Sequence, residues 1–344
     1  MLKESITFKP KDVTKKMLAS IQPRVREVLI RRYGLGASTD RATLESIGSI
    51  YKITRERVRQ IENFGITAIK KAKNYDTSDS AFLELKKKME EFGGIVHEQT
   101  FLDSITKDPS VKNHLHFILV VNEAFIKLKE DDSFHHRWTT DKNLADRVHS
   151  SLKNLCGNIG DKDLLTESDL IARFLLELKD ISKDPNVNDF AKKWLNISKQ
   201  LSKNPLGEWG LTKSPNVKMR GIRDYAYLVL RQNGSPMHFS EVAKAIAKHF
   251  GRKAHPATCH NELIKDSRFV LVGRGLYALV EWGYSKGTVA DVIRSLIKKN
   301  GPLTRDEVIG KVLKERHVKE NTILVNLQNP KLFKKAKDNR YAVA

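Results

Sequence analysis

Apolar positions recur at helical spacing along most of the chain, interrupted by Gly, Pro and short polar clusters. The first clear stretch is Val25 to Tyr33 (VREVLIRRY), where Val25, Val28, Leu29 and Arg32 fall on one face. Gly34 and Gly36 stop it. A polar stretch from Ala37 to Ala42 follows, and Thr43 stands where a cap for the segment LESIGSI is needed. In the next twenty residues, LESIGSIYKITRERVRQIEN, the apolar side chains are Leu44, Ile47, Tyr51, Ile53, Val58 and Ile61. This spacing predicts two short helices packed at a steep angle, with small Gly48 admitting the second backbone and Val58 and Ile61 sealing the contact. Thr54 caps the second helix, whose body is expected from about Arg55 to Glu62.

After Tyr75 the chain repeats itself on a longer period. Each unit opens with an amphipathic helix, passes through a polar or Gly/Pro break into more helix, and ends in two short strand-like runs around a polar loop. The clearest unit has Tyr225 to Arg231 (YAYLVLR), then NGSPMHFSEVAKAIAKHF, a helix near His260 to Lys265, and RFVLVGRGLYALVEW. In its last segment Phe269, Leu271, Tyr277 and Leu279 alternate inward, with Gly273, Arg274 and Gly275 at the tip. Three helices and a hairpin make a winged helix. VADVIRSLIKKNGPLTRDEVIGKVL, NTILVNLQ and LFKKAKDNRYAVA repeat the pattern, with a tip at Lys337, Asp338 and Asn339. Two earlier units are fainter, and Trp138, Trp209, Tyr277 and Tyr341 close the four at intervals of 71, 68 and 64 residues. The expected fold is mainly α with small β-hairpin wings. It comprises an N-terminal arm (1–20), a helix-turn-helix (21–75), winged-helix-like units (80–141 and 144–215) and two winged helices (220–284 and 286–344).

Composition adds a partner to this picture. Hydrophobic residues make up 40% of the 344 and charged residues 30%, which suits a folded protein, and the net charge of +21 calls for a polyanion. From Met1 to Tyr75 there are 17 Lys and Arg against 7 Asp and Glu, a net of +10, so the strongest site is expected there. A membrane surface is the competing polyanion. The longest apolar run, Phe117 to Val121, is too short to span one, and MLKESITFKPK has no apolar signal core. With only Cys156 and Cys259, disulfides are not expected and a reducing cytoplasm fits.

If Val58 and Ile61 turn inward, Arg55, Glu56, Arg59 and Gln60 share the outer face of the second helix. Arg makes paired bonds to guanine, Glu accepts from cytosine N4 and Gln pairs with adenine, each worth about 1–3 kcal/mol of discrimination. Thr43, Thr54, Arg57, Lys70, Lys71 and Lys73 are placed to meet phosphates. A merely solvated charged face is the alternative.

Arg24 to Lys73 resembles region 4 of the bacterial primary sigma factors, on VREVLIRRYGL, TLESIG and ITRERVRQIE in that order. The resemblance implies that Arg55, Glu56 and Gln60 contact bases of a promoter −35 element in double-stranded DNA. It also implies docking on the β flap of bacterial RNA polymerase. Lys52 stands where the family usually has Gly or Asn, because that residue takes positive φ; a Lys there costs about 1–2 kcal/mol. With about 20 residues before the region, a complete sigma factor of the usual kind is not expected. Tyr225 to Trp282 resembles the HARE-type helix-turn-helix domain, shared with the N-terminal domain of the RNA polymerase δ subunit, on SPMHFSEVAKAI and SRFVLVGRGLYALVEW. That resemblance implies no cofactor. Arg274 at the tip and Arg252 and Lys253 nearby reach towards DNA if the wing binds it, and winged helices serve equally as protein-docking modules.

Catalytic and metal chemistry find little support in the sequence. His255, Cys259 and His260 (HPATCH) have metal-binding residue types but no second pair at finger spacing. His135, His136, His114 and His116 are expected at the surface, and the adjacent carboxylates Asp131–Asp132 and Glu90–Glu91 suit solvent better than a metal. No P-loop or nucleophile elbow occurs, and neither an enzyme, a metal, a cofactor nor a small-molecule substrate is expected. Three functions remain open: a sequence-reading transcription factor, a polymerase accessory or scaffold with incidental DNA contact, and a module of a DNA-modification system. In the first, the N-terminal domain supplies the specificity and the wings at most non-specific affinity.

Overall fold

The computed structural model describes residues 6–72, 79–178, 185–336 and 338–344. The chain divides into two compact units, Met1–Ser202 and Lys203–Ala344.

In the first unit, α1 (Pro10–Ala19), α2 (Pro23–Tyr33), α3 (Leu44–Tyr51) and α4 (Arg55–Lys70) precede α5 (Asp79–Glu91), β1 (Ile95–His97), α6 (Glu98–Ile105) and α7 (Pro109–Val121). β2 (Ile126–Leu128), β3 (Arg137–Thr139), α8 (Lys142–Gly157), α9 (Glu167–Leu178) and α10 (Val187–Leu195) follow. The chain passes into the second unit within β4 (Leu201–Lys203).

Proline at the first turn of α1, α2 and α7 presets the helical backbone where its missing N–H is not needed. Gly34 ends α2 in the left-handed conformation. Residues 1–20 are therefore not simply an arm: α1 buries Thr14, Met17 and Leu18. Met17 and Leu18 join Val25, Leu29 and Tyr33 of α2 and Ile69 of α4 in one core with Leu85, Phe101, Leu115, Phe117, Leu119 and Trp138. The helix-turn-helix and the first winged unit thus share a hydrophobic interior.

Helix α7 lies at the middle of it, with every residue from Asn113 to Leu119 buried. His114 and His116, expected at the surface, are only 7% and 6% exposed. Their helix is enclosed over these residues, so polar groups there need partners inside the protein, and the buried His116 Nδ1 has none among the described residues. His114 Nδ1 shares a hydrogen bond with the Thr14 hydroxyl of α1. Asn113 donates to the carbonyls of Gly34 (3.0 Å) and Thr39 (2.8 Å), and Arg41 donates back to its Oδ1 at 2.8 Å. The His116 Nε2 accepts from Lys127 at 2.9 Å, and Glu98 takes Lys127 and the Trp138 indole N–H, each at 2.8 Å.

Helices α3 and α4 pack against α2 through a satellite core of Val28, Ile47 and Val58, flanked by Leu44, Tyr51, Ile53 and Ile61. The Thr43 and Thr54 hydroxyls cap α3 and α4, accepting from the amides of Ser46 at 3.1 Å and Arg57 at 3.2 Å. A Cβ on Gly48 would stand 2.6 Å from the Ile53 carbonyl oxygen, so the close approach read from the sequence is real. Lys52 turns the chain with φ 53°. Helix α4 runs on eight residues past the expected end at Glu62, because Gly65 and Ile69 continue its buried face. A Cβ on Gly65 would meet Val25 at 2.7 Å, so α2 and α4 cross there in close contact.

The second unit continues with β5 (Trp209–Leu211), α11 (Ile222–Asn233), β6 (Met237–His238), α12 (Phe239–Phe250), α13 (Pro256–Lys265), β7 (Phe269–Gly273) and β8 (Leu276–Leu279). It closes with α14 (Val289–Asn300), α15 (Arg305–Glu315), α16 (Glu320–Leu327), β9 (Phe333–Lys335) and β10 (Tyr341–Val343). One order of elements recurs: helix, short strand, two helices, two antiparallel strands. It occurs over 79–139 with sheet order β1-β3-β2 and over 222–279 with β6-β8-β7. Over 289–343 a single bridge, Leu303 to Tyr341, stands for the short strand. Trp138, Trp209, Tyr277 and Tyr341 each lie on the closing strand of a pair or on its counterpart.

The β7–β8 wing departs from the expected alternation. Leu271 is 48% exposed, whereas Val270, Val272 and Ala278 form a small core with Val280, Trp282 and Tyr284. The return of the chain over the outer face of the hairpin covers what the alternation left to solvent. The last module joins the edge of this hairpin, where the His317 amide donates to the Val272 carbonyl at 2.7 Å. The last wing tip includes Lys337, which lies outside the described residues; next to it Asn339 has φ 63°.

Two measurements probe this architecture. Burial, reinforced by the charges of Arg41, Lys127 and Arg32 and opposed by Glu98, pushes the His116 imidazole down to about 3. The unfolded chain binds that proton near 6.5. Stability from neutral His116 is therefore complete above pH 6.5 and falls as pH drops towards 3, by up to about 1.4 kcal/mol per pH unit. His149, pushed down to about 4 by burial and Arg137, acts in the same direction. His116→Gln is expected to lower stability at pH 7 and flatten its decline between pH 6 and 4, read from urea melts; an unchanged slope would assign the decline elsewhere. At the helix turn, Gly48→Ala is expected to cost about 1–3 kcal/mol. Lys52→Gly is expected to stabilise by up to about 1 kcal/mol, since the left-handed penalty exceeds the entropy that glycine adds to the unfolded chain.

Candidate nucleic-acid interface

The helix-turn-helix presents one open face. Val58 of α4 is fully buried against Val28 and Ile47, and this fixes the rotation of the helix about its axis. Arg55, Glu56, Arg57, Arg59 and Gln60 are consequently all exposed. The four side chains expected to face bases, Arg55, Glu56, Arg59 and Gln60, stand together on the first two turns of α4.

Each is engaged with a neighbour. Arg59 forks over Glu56, with its Nη2 at 2.7 Å and Nε at 2.9 Å from the two carboxylate oxygens. Hydrogen bonding from Arg59 holds the Glu56 carboxyl below the usual range, so it is an acceptor throughout the neutral region. Arg57 donates to the Gln60 side-chain oxygen at 3.0 Å. Arg55 reaches back to Glu45 on α3 at 3.2 Å. These pairs lie in solvent, where they contribute little to stability and exchange readily for other partners.

Glu45 is absent from the sequence-derived set, because a contact ten residues away between two helices leaves no periodic signal. Phe64 was missed as well, since the helix was expected to stop at Glu62. It is 57% exposed and lines a groove with Val25, Ile53, Ile61, Arg24 and Arg57.

The residues expected at phosphates are placed less uniformly. Thr43 and Thr54 sit at the N-termini of α3 and α4, where backbone N–H groups gather. Lys71 caps the C-terminus of α4 and is exposed, whereas Lys70 binds Glu123 at 2.9 Å. Lys73 lies outside the described residues. In the second unit Arg252 and Lys253 are exposed in the loop after α12, the Arg252 guanidinium lying 5.1 Å from the Tyr225 ring centre. Arg274 is exposed at the β7–β8 tip, where Gly275 takes φ 67°.

His255, Cys259 and His260 serve the packing of α13. His255 accepts from the Ala257 amide at the helix start, Cys259 is fully buried with its thiol pushed up to about 11 by burial, and His260 stacks on Phe239. Asp131 lies on a loop, where it accepts from the Ser133 and Phe134 amides and pairs with Arg137. Among the described residues no three His, Cys, Asp or Glu side chains are grouped to hold a metal, and no helix is long and apolar enough to cross a membrane.

A family model described as Sigma-70, region 4 matches residues 17–71. A second, the HARE-HTH model, described as a helix-turn-helix domain of ASXL and restriction endonuclease proteins, matches residues 222–282. Among curated proteins the chain is similar to RNA polymerase sigma factor RpoD of Neisseria gonorrhoeae, 43% identical over 68 residues, which are 20% of this chain and 10% of that protein. It is also similar to RNA polymerase sigma factor SigA of Nostoc sp., 55% identical over 47 residues, which are 14% of this chain and 12% of that protein. SigA of Microcystis aeruginosa is 52% identical over 46 residues, 13% of this chain and 11% of its own length. The chain thus spans about a tenth of the length of these relatives. No solved structure matches the chain significantly. Two separate segments of the chain are therefore similar to helix-turn-helix families, the first to region 4 of sigma-70 factors and the second to the HARE domain.

Proposed function

We propose that this chain is a sequence-specific DNA-binding transcription protein that reads a promoter-like duplex through α3 and α4 and contacts bacterial RNA polymerase in the cytoplasm. The observation that carries this reading is the open face of α4. Arg55, Glu56, Arg59 and Gln60 lie together there, held outward by the burial of Val58, within a segment similar to sigma-70 region 4. Inserted in a major groove, Arg55 addresses guanine, Glu56 a cytosine amine and Gln60 an adenine. Thr43, Thr54, Arg57 and Lys71 meet phosphates and set the register. Phosphate contact by Lys70 requires it to leave Glu123.

In this reading 6–72 and 79–139 act as one body, because they share a core. Binding is an equilibrium process in which the Glu56–Arg59 and Arg55–Glu45 pairs exchange for bases. No step of this function requires a catalytic group.

The accessory reading is favoured by the Phe64 groove, an apolar surface rimmed by Arg24 and Arg57 that suits a protein partner as well as a nucleic acid. Association of the whole chain with core polymerase in the absence of DNA would support it.

Selection of binding sites from a random duplex library at near-physiological salt is expected to return one motif. The Arg55/Glu56/Gln60 triple alanine variant is expected to lose it. Gln60→Ala alone should weaken the selected site by about 1–3 kcal/mol while leaving binding to random duplex unchanged. Equal loss on both duplexes, or binding governed by salt alone, would contradict base reading.

A further inference from the structure

We propose a second site for double-stranded DNA in the C-terminal module, with α16 entering the major groove and the β9–β10 hairpin lying along phosphates. This site is independent of the α3–α4 face, and no family model matches its residues.

Charge singles the module out. From Lys286 to Ala344 there are 14 Lys and Arg against 6 Asp and Glu, a net of +8, while the 210 residues from Asp76 to Ser285 carry only +3. The positive charge of the chain is therefore concentrated at its two ends. Within the module, Lys334 and Lys335 are exposed on β9, and Arg340 is exposed just before β10. Arg340 makes a long, exposed pair with Asp338 at 3.8 Å, and its charge also acts on Glu307.

The surface of α16 has the chemistry of base recognition. The helix follows α15 across a short turn, the place of the second helix of a helix-turn-helix. Ile323 and Leu327 bury one face against Val292, Ile297, Val308 and Val312. At about 100° per residue, Asn321, Val325 and Gln328 then fall within about 60° of one another on the opposite face, with Thr322 beside them. All four are exposed, Val325 by 67%. Amide side chains pair with the edge of adenine, and a branched aliphatic group meets the thymine methyl. The hairpin that follows α16 in the chain carries the exposed cations Lys334, Lys335 and Arg340.

The first repeated unit lacks this combination. Its equivalent helix, α7, is enclosed in the core.

The test uses the full chain carrying the Arg55/Glu56/Gln60 triple alanine background, so that α4 is silenced, and a random-sequence duplex titrated with salt. Adding Lys334→Ala and Lys335→Ala is expected to reduce the log–log salt slope by about 2. These side chains are exposed on a strand, and circular dichroism checks that the fold persists. In a separate selection from the same background, a weak A/T-containing motif is expected and should disappear with Asn321→Ala/Gln328→Ala. An unchanged slope and affinity in the lysine variant would overturn the site, and so would tighter binding to single-stranded DNA or RNA than to duplex. Absence of any motif would remove α16 from the groove. None of these outcomes depends on α4 reading bases, because that helix is disabled throughout.

Discussion

The burial of α7 from Asn113 to Leu119 constrains the whole first unit. A helix buried all round over two turns must be surrounded by several elements, and here these come from distant parts of the sequence. Helix α1 meets it through Thr14 and His114, the turn after α2 through Asn113, and Tyr33 of α2 packs edge-on against Phe117, 5.1 Å between ring centres. Removing any of these polar partners would leave buried groups unpaired, at about 1–3 kcal/mol each. The helix-turn-helix is therefore anchored to the following module through its interior, so α3 and α4 are carried on a rigid body.

The same burial explains the protonation states at the centre. His116 is pressed between Lys127, Arg41 and Glu98, and an imidazolium there would add a third cation to a site with one carboxylate. The neutral ring instead accepts from Lys127, and Glu98 collects the remaining donors. These groups hold the core in one arrangement. The outer face of α4 shows the opposite logic: its ion pairs are exposed and weak, so they exchange readily for other partners.

Local features were legible in the sequence. The Thr43 and Thr54 caps, the close approach at Gly48 and the outward set on α4 all follow from rules that span fewer than ten residues, whereas the left-handed Lys52 was foreseen only from the family resemblance. Over 222–279 the three helices and the closing hairpin were readable for the same reason, whereas the short strand β6 was not. What escaped was long-range. Nothing near Thr14 or His114 announces that they meet across a hundred residues, so the first helix was read as an arm and the histidines as surface groups. The extent of α4 was underestimated because Gly65 resembles a helix stop, yet it is small to let Val25 and Leu29 approach. In the β7–β8 hairpin, Leu271 was placed inward by strict alternation, which does not foresee that Trp282 and Tyr284 return to cover the other face.

The repeated modules show how position in the assembly, and not topology, decides what a helix is for. In each, the helix before the hairpin stands in the same topological place. Helix α7 carries the apolar run FILVV and is buried on every side; α13 turns Cys259 and Leu263 inward and leaves Ile264 exposed. In α16, by contrast, the outward positions are amides, threonine and valine. A helix enclosed by neighbours is free to be hydrophobic all round, and its side chains then have no route to a ligand. A helix left open must satisfy water in the free state, and uncharged amides do so while keeping directional donors and acceptors for a base edge. The sequence difference between α7 and α16 thus follows from their neighbours. One order of elements, repeated along a chain, provides both the interior that anchors α3 and α4 and helices whose outer faces stay open.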